Sequence, residues 1–260
     1  MGHIRLGRLP TSRKWRQVVN ALEQGSGVGT IAASAAEAAE GDLAAAARDP
    51  ALLEAFWLLT QLPLAARGPS FVGDAKRLGL NLPKDPDFLE ITAALAASID
   101  RRVADLEGRT DLGEMAQMAA IESLTSIVGP RLPSLFTPTA LEVQRAIGRL
   151  SGGDHFKILA RTFFARLTQR VLHYFLSREL AKHTGPAHRF PTDRERIAFD
   201  EAINIHCWEA SRIVETFAGG WYGKAVFQKG GLTPERIRSF VPIAFRKIRA
   251  ELRKRRDDED

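Results

Sequence analysis

Apolar residues recur every three to four positions along most of the chain and almost never alternate with polar ones, a pattern that predicts helices throughout. Spacing and punctuation place helices over roughly 12–24, 30–47, 50–62, 70–79, 87–107, 112–128, 138–150, 154–184, 193–217 and 234–256, with a short one near 221–228. The stretch HIRLG at 3–7 is strand-like but too short and isolated to build a sheet. Asp49-Pro50, Thr137-Pro138 and Thr233-Pro234 each set a capping side chain before a proline suited to the first helical position. Asp111 with Glu114, and Thr192 with Glu195, have capping-box spacing. Gly25, Gly79, Gly129 and Gly185 fall where helices are expected to stop.

The fold class this implies is all-α, a compact multi-helix bundle of about ten helices without significant sheet. No repeat of solenoid length is present. Ser151-Gly152-Gly153-Asp154 reads as a turn and cap, dividing the chain into two halves. Residues 1–150 carry a basic arm and an Ala-rich helix. Residues 151–260 carry three long helices, the last of them basic. The link is too short to swing, so the halves are expected to pack as one unit. The long helices offer matching apolar stripes, with Phe163, Ile203 and Phe240 among their members, and should pack together.

Hydrophobic residues make up 45% of the 260 and charged residues 26%, ordinary for a chain with a sizeable core. The most apolar run, ALLEAFWLLTQLPLAA, is interrupted by Glu54, Gln61 and Pro63, so no membrane span is expected. A basic N-terminus with no apolar run behind it does not read as a signal peptide. Cys207 is the single cysteine, which rules out an internal disulfide and a cysteine-based zinc site. These features set the expectation of a cytoplasmic protein.

Net charge is +6, and its distribution changes the picture. Residues 1–30 hold Arg5, Arg8, Arg13, Lys14 and Arg16 against Glu23 alone. Residues 234–256 hold nine arginines and lysines against Glu235 and Glu251. Basic termini around a near-neutral middle suit a polyanion. The expected nucleic-acid-binding residues are Arg13, Lys14 and Arg16 at the start and Arg253, Lys254, Arg255 and Arg256 at the end. Those last four are consecutive, cover the whole circumference of a helix, and cannot all be required by packing. Arg166 and Arg170, with Lys157, Arg161 and His173, form a candidate basic stripe turned away from the aromatic core. In FAGGWYGK a tight turn would set Trp221 beside Lys224, a pairing suited to base stacking and a phosphate contact.

Other candidate chemistry is thinner. His206 and Cys207 are adjacent on a helix and point about 100° apart, so they do not face each other as base and nucleophile would. QGSGVGT is a glycine-rich turn between helices, and it lacks the strand and the Lys-Ser/Thr pair of a phosphate-binding loop. Neither a cofactor nor a metal site is expected. The stretch LSRELAKHTG at 176–185 leaves two readings open. In one, Arg178, Lys182 and His183 close a helix and offset its dipole. In the other, Arg178–Glu179–Leu180–Ala181–Lys182–His183 resembles the Arg-x4-His element of the HEPN ribonucleases, an all-α family that acts on RNA without a metal. That resemblance implies His183 as general acid or base, Arg178 as stabiliser of the phosphorane, and Glu179 as the polar residue following the arginine.

No complete catalytic constellation stands out. The expected function is therefore a non-enzymatic helical adaptor or accessory subunit of a bacterial cytoplasmic multi-protein assembly. Other protein subunits are its expected partners, nucleic acid is a further candidate, and a homo-oligomer is compatible with the pattern. The alternative is the HEPN-like ribonuclease.

Overall fold

The computed structural model describes residues 12–106, 110–133, 136–228 and 231–257. Among these the α-helices are α1 Arg13–Glu23, α2 Val28–Ala38, α3 Glu40–Ala46, α4 Pro50–Arg67, α5 Phe71–Arg77 and α6 Phe88–Leu106. Then come α7 Asp111–Val128, α8 Ala140–Gly148, α9 Gly153–Lys182, α10 Asp193–Ala210, α11 Arg212–Gly223 and α12 Pro234–Asp257. No sheet occurs among the described residues, and the fold is an all-α bundle. HIRLG lies outside them.

The departures from the sequence pattern have identifiable causes. The Ala-rich helix bends at Ala39 between α2 and α3, although Ala39 and Leu43 keep their backbone bonds to Ala35 and Ala39 at 2.8 Å. Nothing in a run of alanines marks such a bend. Helix α4 runs on to Arg67 through Pro63 because that end is buried, with Leu62, Pro63, Ala65 and Ala66 all packed. The expected helix 193–217 divides at Ser211, whose amide and hydroxyl both donate to the Cys207 carbonyl, at 3.0 and 2.8 Å. Thr110, rather than Asp111, caps α7. It accepts from the Gly113 amide at 2.8 Å and donates to Asp49, itself the cap of α4, at 2.9 Å. Thr139, not Thr137, caps α8, in a reciprocal box with Glu142. Helix α7 stops at Gly129 as expected, but Gly129 caps it in the right-handed region and leads into a 3-10 turn.

The supposed turn at Gly219–Lys224 is helix. Gly219 lies against Gly153, where an added Cβ would sit 3.4 Å from the Gly153 carbonyl oxygen. Helix α11 lies along α9 there. Tyr222 is buried there. Its ring stacks on Phe156 at 4.2 Å between centroids, and its hydroxyl donates to the Ser151 carbonyl at 2.9 Å.

One apolar cluster runs from Trp15 to Leu252, so residues on both sides of position 150 share a core. Phe56 of α4 sits at its centre, ringed by Phe156, Phe163, Phe164 and Phe240 at 4.9 to 6.5 Å. Helix α2 is wedged among α1, α10 and α12. Ile31, Ala32, Ala33, Ala35 and Ala36 are thus buried inside the chain.

Candidate nucleic-acid interface

Helix α12 sorts its residues by face. Ile237, Phe240, Val241, Ala244, Ile248 and Leu252 are buried against the core. Arg238, Pro242, Arg246, Arg249 and Arg253 follow at spacings of four, four, three and four, which keeps them on one outer stripe. Fifteen residues at the helical rise give that stripe a length of about 22 Å.

Three grooves neighbour this stripe, two where α12 meets α3 and α4 and one between α5 and α6. The first is lined by Lys76, Arg77, Arg101 and Arg102 with Leu78, Gly79 and Ser98. The central one is lined by Arg48, Arg102, Arg238 and Glu54 with Pro50, Leu53, Trp57 and Pro234. The third is lined by Arg48, Arg246, Arg249 and Glu40 with Leu43, Ala44, Ala47, Pro242 and Phe245. Arg102 is a shared wall of the first two and Arg48 of the last two. Each groove thus has an arginine wall in common with the next, and taken together the three make a basic track bordered by eight arginines and lysines against two glutamates.

Ion pairing divides these cations into two groups. Arg102 meets Glu54 at 3.0 Å, Arg77 meets Asp74, Arg238 approaches Glu235 at 3.7 Å, and Arg249 meets Glu40. Among the described residues the exposed side chains of Arg48, Lys76 and Arg246 make no ion pair, and exposed Arg101 donates only to the Gly79 carbonyl. Glu40 also takes Lys14 at 2.9 Å. The hydrogen bond from Lys14, aided by the charges of Arg249 and Arg253, holds its carboxyl below the ordinary range. Through Glu40 the basic first helix and the basic last helix meet at one end of the track.

The expected interface residues are distributed differently from the sequence reading. Lys14 joins the track, and Arg13 and Arg16 are exposed on α1 beside it in sequence. Arg253 lies on the track stripe and pairs with Glu37 at 3.0 Å. Lys254 pairs with Glu251 on its own helix, and Arg255 turns the other way, toward Glu209 of α10 at 3.7 Å. The basic quartet is thus partly spent on packing, since two of its members tie α12 to opposite neighbours. The side chain of Arg256 lies outside the described residues.

The α9 stripe does not exist as one face. Arg166 and Arg170 both grip Glu122 of α7, while Arg161 pairs with Glu215 at 2.9 Å and lies over the Trp208 ring. His173 meets Asn204 at 2.7 Å and Asp200 at 3.5 Å, on α10. These cations brace α9 against its neighbours on two sides. Trp221 packs against Phe240 and Phe156, at 4.4 and 6.1 Å between centroids, and Lys224 is exposed at the following π-helical turn. Trp221 spends its ring on the core and does not pair with Lys224 as a stacking platform.

Arg178 and His183 are not brought together either. Five helical residues put their directions about 140° apart. The Arg178 guanidinium leans back over Tyr174 at 5.1 Å, whereas His183 follows the end of α9 and lines a separate open groove with Lys182, His188 and Arg189. Glu179 is buried and paired with Lys182 at 2.8 Å. Cys207 is fully buried, and burial pushes its thiol up to about 12, which removes it as a nucleophile at neutral pH. Among the described residues no three His, Cys, Asp or Glu side chains gather as a metal would need, and no helix is long and apolar enough to cross a membrane.

Most of the track was outside the sequence-selected set. The 238/246/249/253 spacing was a readable signal, but the joining of Lys76–Arg77 with Arg101–Arg102 and Arg48 depends on tertiary packing. No protein family model, curated protein or solved structure matches this chain, so its reading rests on its own geometry.

Proposed function

We propose that the chain is a non-enzymatic accessory protein that binds nucleic acid along the Arg/Lys track between α12 and helices α3 to α6. The observation that carries this is the adjacency of three grooves that share Arg102 and Arg48 as walls, with four exposed cations that no carboxylate among the described residues neutralises. Cations held apart along a groove release counterions when they meet phosphates, and that release supplies most sequence-independent affinity. The setting we propose is a bacterial cytoplasmic assembly with other protein subunits. Exposed Ile197, Ile205 and Trp208, on one side of α10, support a protein neighbour there.

The test is fluorescence anisotropy with labelled single-stranded DNA and RNA over a range of salt. Replacing Arg48, Lys76, Arg101 and Arg246 together with alanine should flatten the log K against log salt slope by roughly 3, at about 0.7 per lost single-strand contact. A control variant lacking Arg178, Lys182 and Arg194, which line none of the three grooves, should keep the wild-type slope. Equal slopes for all three proteins would refute the assignment.

A further inference from the structure

The central groove is walled by a tryptophan, Trp57, half-buried against the core, whereas the aromatic ring of the third groove, Phe245, is buried and already paired edge-on with Phe164. The chain has four tryptophans. Trp15 packs on Phe175, Trp208 lies beneath Arg161, and Trp221 packs on Phe240 and Phe156. Among the described residues Trp57 alone has neither a ring partner nor a cation over its face. Its Nε1 is shielded from solvent and unpaired, so the part of the indole that borders the groove is carbon. Pro50, Leu53 and Pro234 continue that apolar wall, and Arg48, Arg102 and Arg238 stand around it. The cavity measures about 360 Å³, within the range of small-ligand sites.

Such a lining asks for a ligand with a flat apolar part and an anionic part attached to it. We propose that this cavity is a nucleotide pocket, in which a base lies against Trp57, Leu53 and the two prolines while its phosphate is held by Arg48 and Arg238. Arg102, fixed by Glu54 at 3.0 Å, stands at the entrance from the first groove. Because Arg102 and Arg48 are also walls of the flanking grooves, a base seated here would have the phosphates on either side of it in the track. This deepens the proposed function and rests on it: the strand would be single, since a paired base cannot leave its stack to reach Trp57 without added cost. A free nucleotide presents the same chemistry, and the experiment separates the two sources.

Binding of a single-stranded oligonucleotide carrying 2-aminopurine, and of 5′-AMP alone, would be measured for wild type, for Trp57→Leu and for the exposed double variant Arg48→Ala/Arg238→Ala. The expected result is quenching of 2-aminopurine by wild type. Trp57→Leu should lose that quenching and about tenfold in affinity, the order of one base stacked on an aromatic ring, with an unchanged salt slope. The double variant should lose affinity with a shallower slope. Its replaced side chains are exposed, so it reports on the phosphate end even if Trp57→Leu proves unstable. Oligonucleotide binding with equal quenching and affinity in wild type and Trp57→Leu would overturn the pocket and leave the track intact. Binding of 5′-AMP that depends on Trp57 and Arg48, with no oligonucleotide binding, would uphold the pocket and overturn the track. Binding of neither would end both.

Discussion

Arg189 gives the most quantitative test of how the fold holds the track together. Its guanidinium donates to the carbonyls of Ala21 and Leu22, at 3.3 and 2.9 Å, and to that of Ser26. It thus closes the C-terminal end of α1 from a loop more than 160 residues away in sequence. Its face also lies 5.3 and 5.1 Å from the Phe190 and Phe199 rings, and burial pulls its pKa down. Bonds from a charged donor contribute about 1.5–3 kcal/mol each, but three that share one guanidinium do not add, and water partly replaces them at a helix end. Lysine at 189 keeps the charge and offers one nitrogen, which cannot reach all three carbonyls. We expect Arg189→Lys to lower stability by about 2 kcal/mol and Arg189→Met by about 3 kcal/mol, with the larger part of the loss in the donor geometry. Urea unfolding followed by circular dichroism measures the total. Amide exchange should locate the loss in α1, whose release would also free Lys14 from Glu40. If Arg189→Lys stays within about 0.5 kcal/mol of wild type, charge rather than the three-carbonyl fork holds α1, and the reasoning fails.

Glu40→Gln removes the carboxylate shared by Lys14 and Arg249, so single-strand affinity should rise and the salt slope should steepen by up to about 1, read by anisotropy; weaker binding would show that Glu40 organises the track instead of masking it. Because the folded-state pKa of Glu40 is lowered, its pairing contributes stability above the ordinary carboxylate range that is lost as pH falls, and a melt of Glu40→Gln should lack that part of the acid slope. Gly113→Ala puts a Cβ 2.6 Å from the Ala51 Cβ where α7 crosses α4, so a change that favours helix by about 1 kcal/mol should still destabilise by about 1 kcal/mol net in urea; a stabilised variant would mean the crossing is looser than described. Native Cys207 should react with a thiol reagent at pH 8 only as fast as the protein opens, and a fast stoichiometric reaction would contradict its burial. Burial raises the Asp200 carboxyl against the opposing charges of His173 and Arg196. A raised folded-state pKa means that ionisation costs stability, so wild type should lose stability relative to Asp200→Asn as pH climbs above about 4, and the opposite trend in pH-dependent melts would refute the desolvated site.

The helices were legible in the sequence where local chemistry fixes them. Asp49-Pro50 and the Thr192–Glu195 box start helices as their side chains require, and Gly25, Gly79 and Gly185 end them at positive φ. Elsewhere packing overrules local chemistry. Gly219-Gly220 has the composition of a turn, yet α11 stays helical where Tyr222 is buried against Phe156 and donates to the Ser151 carbonyl. Pro63 has the composition of a stop, yet the buried end of α4 carries the helix past it. Ser211, which looks unremarkable in sequence, stands at the division between α10 and α11.

Charge was harder to read than secondary structure, for a physical reason. Whether a surface arginine is available depends on carboxylates far away in the chain. Arg166 and Arg170 are answered by Glu122, more than 40 residues off, and Arg249 by Glu40, 209 residues off. Density along the sequence is also a poor guide on a helix. Four consecutive basic residues step about 100° each, so the run at 253–256 faces every direction, and Arg253 and Arg255 end up tied to opposite neighbours. Residues 238, 246, 249 and 253 are thinly spaced by comparison, yet they fall on one stripe. The unpaired cations beside them, Arg48, Lys76 and Arg101, occur in no run that composition would single out. In an all-helical chain it is therefore the spacing of cations, and the lack of a carboxylate opposite them, that marks a surface for a polyanion. A count of cations per segment selects, beside exposed Arg13 and Arg16, several that the fold has already neutralised, Arg166, Arg170 and Lys254 among them.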